Sequence, residues 1–122
     1  MLSHEPEAVL RRLRTACLKL PETDEVVSHG MPGFRVAGKM FGYFRHNHHG
    51  DGMTVVCVKT LGRDEQEMLL EADPELFSRP AYLWPSGWVA MSLAGEVDWG
   101  HVEARLLASW RLAAPKRLAA AI

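Results

Sequence analysis

Leu10, Leu13, Cys17 and Leu20 recur at three- and four-residue intervals, which lays an apolar stripe along one helix face. The spacing predicts a first helix from about Glu5 to Leu20, ended by Pro21, with Arg11, Arg12 and Arg14 turned to solvent. Glu25 to Ser28 is short and partly β-branched, which predicts a strand. His29-Gly30-Met31-Pro32-Gly33 is too rich in turn formers to continue a regular element, so a turn is expected there. Phe34–Ala37 and Met40–Arg45 predict a hairpin across Gly38-Lys39, with Phe34 and Val36 on one face. Gly38 supplies the positive φ and Lys39 is exposed at the tip.

His46 to Gly52 reads as a polar loop. Met53 to Lys59 is the strongest strand signal, and its apolar residues fall on both parities, which predicts a central position in the sheet. Asp64 with Glu67 makes a capping box for a second helix reaching about Ala72. Ala81–Trp84 and Trp88–Leu93 predict a second hairpin over Pro85-Ser86-Gly87, with Val89, Met91 and Leu93 sharing a face. Asp98 caps a third helix in which Val102, Leu106, Ser109 and Ala113 keep helical spacing. Pro115 interrupts it before a short Ala-rich turn. Helix, three or four strands, helix, two strands, helix is the order of an α+β, two-layer domain. It implies an antiparallel sheet of about five to six strands with helices packed on one face.

The chain has 122 residues, enough for one self-sufficient core, so residues 1–122 are expected to form a single domain. Hydrophobic content of 48% and charged content of 24% exclude a disordered chain. Two cysteines make no disulfide framework, and no apolar run approaches the roughly 20 residues of a membrane span. With no apolar leader at the start, a cytoplasmic location with reduced thiols is expected. Net charge is −1, but the bases gather at Phe34–Thr60 and from His101 onward, while acids cluster at 64–75. If the two basic groups share a face, that face is positive.

Three segments recur in a recognisable order. His29-Gly30-Met31-Pro32-Gly33-Phe34-Arg35-Val36-Ala37-Gly38-Lys39-Met40-Phe41 comes first, then Pro80-Ala81-Tyr82 with Gly87-Trp88-Val89, then Ser109-Trp110. In this order and spacing, from about Leu10 to Lys116, the chain resembles the MmcQ/YjbR family of small bacterial proteins. The resemblance implies a secretion-chaperone-like α+β topology. It also implies DNA binding through a double-wing arrangement, in which two hairpins straddle a nucleic-acid backbone. The matching positions here are the Gly38-Lys39 turn and the Pro80-Ala81-Tyr82 strand.

His46, His48 and His49 beside Asp51 have no distal Cys/His partner at metal-ligand spacing, so a polar loop without a metal is expected. Cys17 and Cys57 fall in apolar positions where a thiol is inert. Ser28-His29 on a strand would point to opposite faces. No nucleophile elbow, paired-carboxylate constellation or phosphate loop is present, and no enzyme or cofactor is expected. Trp110 and Trp88 are expected to be structural, and Trp84, at the second hairpin tip, exposed.

The leading expectation is a non-enzymatic domain binding double-stranded DNA through basic hairpins. Arg35, Lys39 and Arg45 would form one positive edge, and Arg79, Tyr82 and Trp84 lie on the second hairpin. Arg11, Arg12 and Arg14 offer a further contact. The alternative is a protein-, peptide- or small-ligand-binding module using the open sheet face.

Overall fold

The computed structural model describes residues 6–121. Helix α1 (Pro6–Leu18) leads into strands β1 (Thr23–Ser28), β2 (Met31–Val36), β3 (Lys39–His46) and β4 (Thr54–Lys59). Helix α2 (Arg63–Ala72), strands β5 (Phe77–Ser78) and β6 (Trp88–Ser92), and helices α3 (Trp99–Ala113) and α4 (Lys116–Ala119) follow. The predicted start of the first helix at Glu5 lies outside the described residues. All strand pairs are antiparallel, in the order β1-β2-β3-β4-β6-β5. Strand β4 is central, as its two-sided apolar pattern required: Val55, Val56, Cys57 and Val58 are all buried.

The first three strands are joined by two-residue turns. Ser28 pairs with Met31 across His29 (φ 52°) and Gly30 (φ 78°), and Val36 pairs with Lys39 across Ala37 (φ 48°) and Gly38 (φ 85°). Positive φ at both central positions matches the right-handed twist of the strands. The first turn therefore closes at Gly30, and Met31-Pro32-Gly33 joins β2 rather than the loop. The second turn sits one residue earlier than the sequence pattern placed it, so Lys39 opens β3.

Two further expectations change. Helix α2 has no capping box from Asp64 and Glu67; Glu65 accepts a hydrogen bond from the Leu61 amide at 2.8 Å. Ala81–Trp84 is not a strand. β6 pairs with the short β5, and residues 79–87 between them form a turn followed by a short helical turn at Trp84–Ser86. Pro80 and Pro85 lack the amide protons that a strand ladder needs.

Helices α1 and α3 cover one sheet face. Leu13, Cys17, Phe34, Phe41, Val56, Met91, Leu106 and Trp110 meet in one core, to which α2 adds Leu69. Burial pushes the Cys17 thiol far above its ordinary pKa, so it packs as a hydrophobe. The Trp110 indole is fully buried, and its N–H donates to the Pro21 carbonyl at 3.1 Å, fastening α3 to the connection between α1 and β1.

Ser109 explains the other half of that dipeptide. Register slips between Phe34/Arg35 and the facing strand, where Phe34 pairs with Gly42 and Arg35 with Met40, leaving Phe41 as an extra residue. The buried Ser109 hydroxyl donates to the Phe41 carbonyl at 2.6 Å and accepts from the Lys59 amide at 2.8 Å. One side chain thus satisfies two backbone groups on neighbouring strands.

Trp110→Ala is expected to cost about 3–5 kcal/mol through the cavity it leaves. Ser109→Ala is expected to cost on the order of 2 kcal/mol or more, because two buried backbone groups lose their partner. Thermal and denaturant unfolding would check both, and a midpoint unmoved by either substitution would contradict this packing.

Candidate functional site

The second sheet face carries a smaller apolar cluster. Val55, Cys57, Trp88 and Ala90 are buried there, against Met40, Tyr43 and Leu83. Segment 79–87 crosses this face as a strap. Its position is fixed by Gln66 of α2, a fully buried amide that donates to the Trp84 and Trp88 carbonyls, each at 2.8 Å. Thr60 adds a 2.7 Å hydrogen bond to the Gly87 carbonyl. Nothing in the local pattern marked Gln66; on a helix it reads as an ordinary polar residue.

The strap leaves part of the face uncovered, beyond Tyr43. A cavity of about 650 Å³ opens there, between the β1–β2 turn, β3, the 47–52 loop and the strap. Met31, Tyr43 and Leu83 give it apolar walls, and Ser28 and His29 stand at one side. A second cavity of about 240 Å³ adjoins it, towards Asp51, Ser78 and Arg79. Arg45, His48 and His49 line both, forming the partition between them.

Arg45 is the unusual group. Only 8% of the residue is exposed, its Nε is buried with no hydrogen-bond partner, and among the described residues no carboxylate lies within ion-pairing distance. Burying a guanidinium without a counter-charge is costly. Its field also acts on neighbours. Burial pushes the Cys57 thiol up to about 12, with Arg45 pulling it back only in part. Burial, then the charges of Arg45 and His49, hold the His48 imidazole below its ordinary pKa, against the pull of Asp51.

Left-handed backbone recurs around Arg45. His29, His49 and Tyr82 all line the larger cavity and all have left-handed φ, of 52°, 54° and 70°. For His29 this is the ordinary geometry of its two-residue turn, whereas His49 and Tyr82 lie outside such a turn, where a bulky side chain in this conformation is less common. The His48 and His49 rings are 4.0 Å apart, and Tyr82 stands edge-on at 6.3 and 5.7 Å from them. Asn47 fixes the loop by accepting from the Gly52 amide at 2.8 Å, and Asp51 accepts from the Met53 amide at 2.8 Å. His46 turns away and shares a 2.9 Å hydrogen bond with Thr54, so the three loop histidines do not converge. Ser28 and His29, expected to diverge, are linked at 3.3 Å because His29 sits in the turn rather than on the strand.

The remaining sequence candidates are dispersed. Arg45 lies six positions from Lys39 along β3, about 20 Å at strand rise, so Arg35, Lys39 and Arg45 do not form one edge. Arg35 is paired with Asp24 at 2.8 Å, which also holds the Asp24 carboxyl below its usual range. Lys39 is exposed and makes no ion pair among the described residues. Arg79 lies 3.5 Å from Glu67. Trp84 is half-buried against the core, not exposed, with Arg63 and Arg79 at 5.5 and 4.9 Å from its ring. Arg12 and Arg14 are tied to Glu103 and Glu25, Arg105 to Glu65 and Arg117 to Glu22. Of the clustered bases, Arg35, Arg105 and Arg117 are thus paired with acids on adjacent elements, while Lys39, Arg45, Lys59, Arg111 and Lys116 make no ion pair among the described residues.

A third hollow, of about 370 Å³, lies beside Asp73, Glu75, Glu96, Asp98 and His101. None of its side chains is a buried group without a partner. Among the described residues no set of three or more His, Cys, Asp or Glu is grouped to hold a metal ion. No helix there is long and apolar enough to cross a membrane.

Comparison with known proteins bears on the fold and the family. The crystal structure of Deinococcus radiodurans protein DR2400, described as carrying a DUF419 domain, matches with a TM-score of 0.70 at 22% identity. The match covers 89% of this chain and 80% of that one, and at this identity the likeness is one of fold. No curated protein matches the chain. The YjbR family model matches residues 18–112, a span that takes in both hairpin turns, the strap and Ser109-Trp110, and the chain belongs to the YjbR family.

Proposed function

We propose that this domain binds a small anionic ligand in the cleft on the second sheet face, with Arg45 receiving the charge. The carrying observation is Arg45, a largely buried residue whose Nε has no hydrogen-bond partner and which pairs with no carboxylate among the described residues. A guanidinium held in a recess offers a forked set of donors matched to carboxylate or phosphate oxygens. An anion entering there gains an interaction strengthened by the low local dielectric and offsets a charge whose burial is already costly. The larger cavity falls within the size range of small-molecule sites, and its mix of apolar walls with a few converging polar groups fits one.

The expected signature is a trade between stability and binding. Arg45→Met is expected to leave the domain as stable as the native chain, or more stable by about 1 kcal/mol or more, because an uncompensated buried charge is removed. The native chain is expected to gain thermal stability in millimolar phenyl phosphate or benzoate. A ligand at about 100 times its Kd contributes roughly 2.7 kcal/mol. Arg45→Met is expected to lose that gain. Thermal unfolding with and without each anion measures both effects, and a gain that survives the substitution would contradict the assignment.

Contact with double-stranded DNA through basic hairpins is a second reading. It is favoured by Lys39, an exposed cation beside a tight turn, and by Arg63 and Arg79 flanking Trp84. On this reading Lys39→Ala leaves the fold intact, weakens duplex binding similarly for all sequences and lowers the salt slope by roughly 0.9. Anisotropy titrations of a labelled duplex at several salt concentrations would test it. No binding at low salt, or binding indifferent to Lys39 and Arg79 together, would remove it.

A further inference from the structure

The cleft holds more cationic capacity than a single negative charge needs. Arg45 is flanked by His48 and His49, whose ring centroids lie 4.0 Å apart, and the three side chains stand between the larger cavity and the smaller one beside it. The charged and titratable groups facing His48 are few. They are Arg45 of β3, His49 and Asp51 of its own loop, Arg79 and Tyr82 of the strap, and His29 across the larger cavity. Asp51 is the only carboxylate among them. Building on the anion-binding reading above, we propose that the ligand is a phosphate monoester on an apolar or aromatic body. Its dianionic head sits at the Arg45–His48–His49 partition, and its body lies along Met31, Tyr43 and Leu83.

The argument rests on charge balance. In the protein alone, a second positive charge beside Arg45 is disfavoured, and burial, Arg45 and His49 accordingly lower the His48 pKa, against the pull of Asp51. A dianion at the partition reverses the sign of the local field. One charge is met by the Arg45 fork, and the other favours the imidazolium form of His48. Binding then takes up a proton. A monoanion is satisfied by Arg45 alone and has no such demand. The sign follows by linkage: the bound state holds His48 more tightly protonated than the free state, so affinity rises as pH falls through the imidazole range. The apolar walls and the exposed Tyr82 ring beside them suit an aromatic body, since Tyr82 is 77% exposed.

The test compares phenyl phosphate with phenyl sulfate, which shares its shape but carries one charge, by titration calorimetry on the whole chain. Between about pH 7 and pH 8.5 a monoester with a second pKa near 6 stays dianionic, so any change in affinity belongs to the protein. Phenyl phosphate is expected to bind about tenfold more tightly than phenyl sulfate at the lower pH, with the advantage shrinking at the higher. Its binding heat is expected to vary with the ionisation enthalpy of the buffer, the mark of proton uptake. His48→Gln is expected to abolish both the pH dependence and the preference for phosphate, while sulfate binding persists. Equal, pH-indifferent binding of the two probes that still requires Arg45 would overturn the dianion inference and leave the anion cleft standing. Failure of both probes to bind, or binding unchanged in Arg45→Met, would overturn the cleft itself. The buffer-dependent heat is read on the native chain, so the inference stays testable if a His48 variant folds poorly.

Discussion

The Ser109 hydroxyl joins the two layers of this domain. A sheet with a bulge in a central strand leaves backbone groups out of register, and a buried carbonyl or amide without a partner costs free energy comparable to a lost hydrogen bond. Here the extra residue is Phe41, and the Ser109 side chain bonds both its carbonyl and the Lys59 amide of the next strand. Helix α3 is thereby held at one depth and one rotation over β3 and β4. Trp110, the next residue, is directed into the core and to the Pro21 carbonyl. Position and orientation of the helix layer follow from two adjacent side chains.

The bulge has a consequence on the other face. It lets Phe41 and Phe44 both enter the helix-covered core while Met40, Tyr43 and Arg45 belong to the opposite side of β3. Met40 and Tyr43 find apolar neighbours under the strap, because Gln66 and Thr60 tie the 84–88 segment down at that end of the sheet. Arg45, at the far end of the strand, lies beyond the cover of Leu83 and Trp88. It is enclosed instead by the His48–His49 loop and Tyr82. The cleft is thus a product of where the strap is fastened. Helix α2 acts on it from a distance, through an amide that contacts no part of the cavity.

The architecture was legible from period alone. The apolar stripe of α1, the two-sided pattern of β4, the Asp98 cap and the Pro115 break each give a strong local signal, and the Asp98 carboxylate does accept from the His101 amide at 3.1 Å. Turns were readable less finely. Gly33 and Pro32 look like loop residues, yet Pro32 faces β1 at its last pairs and Gly33 packs under Met40 and Tyr43, where a side chain has little room. Tyr82, Leu83 and Trp84 have high β propensity, which predicts a strand over Ala81–Trp84 where the chain forms part of the strap. Two prolines and a left-handed Tyr82 decide otherwise. The cleft itself could not be read. Arg45 ends a strand in sequence and looks like any solvent-facing base. Only the topology brings the 28–31 turn, the 47–52 loop and the strap around it, and what makes it unusual is that, among the described residues, no carboxylate comes within ion-pairing distance.

The distribution of unfavourable features argues that the cleft is more than a gap in packing. Elsewhere the described arginines that are partly buried meet a carboxylate, as Arg14 does with Glu25 and Arg105 does with Glu65 through Nη1, although Nε and Nη2 of Arg105 are buried without a partner. Tight turns that need positive φ mostly use glycine. Around Arg45 two departures coincide: its buried Nε has no partner and no carboxylate pairs with it among the described residues, and His49 and Tyr82 hold left-handed backbone in the same cavity outside any two-residue turn. Each costs stability, on the order of 1–3 kcal/mol for a strained residue. A chain that is otherwise locally consistent concentrates such costs where the geometry serves something other than folding. An anion at Arg45 would supply the missing counter-charge. It would also give His48, His49 and Tyr82 a common object to face, which links the strain of the loops to the charge on the floor as parts of one site.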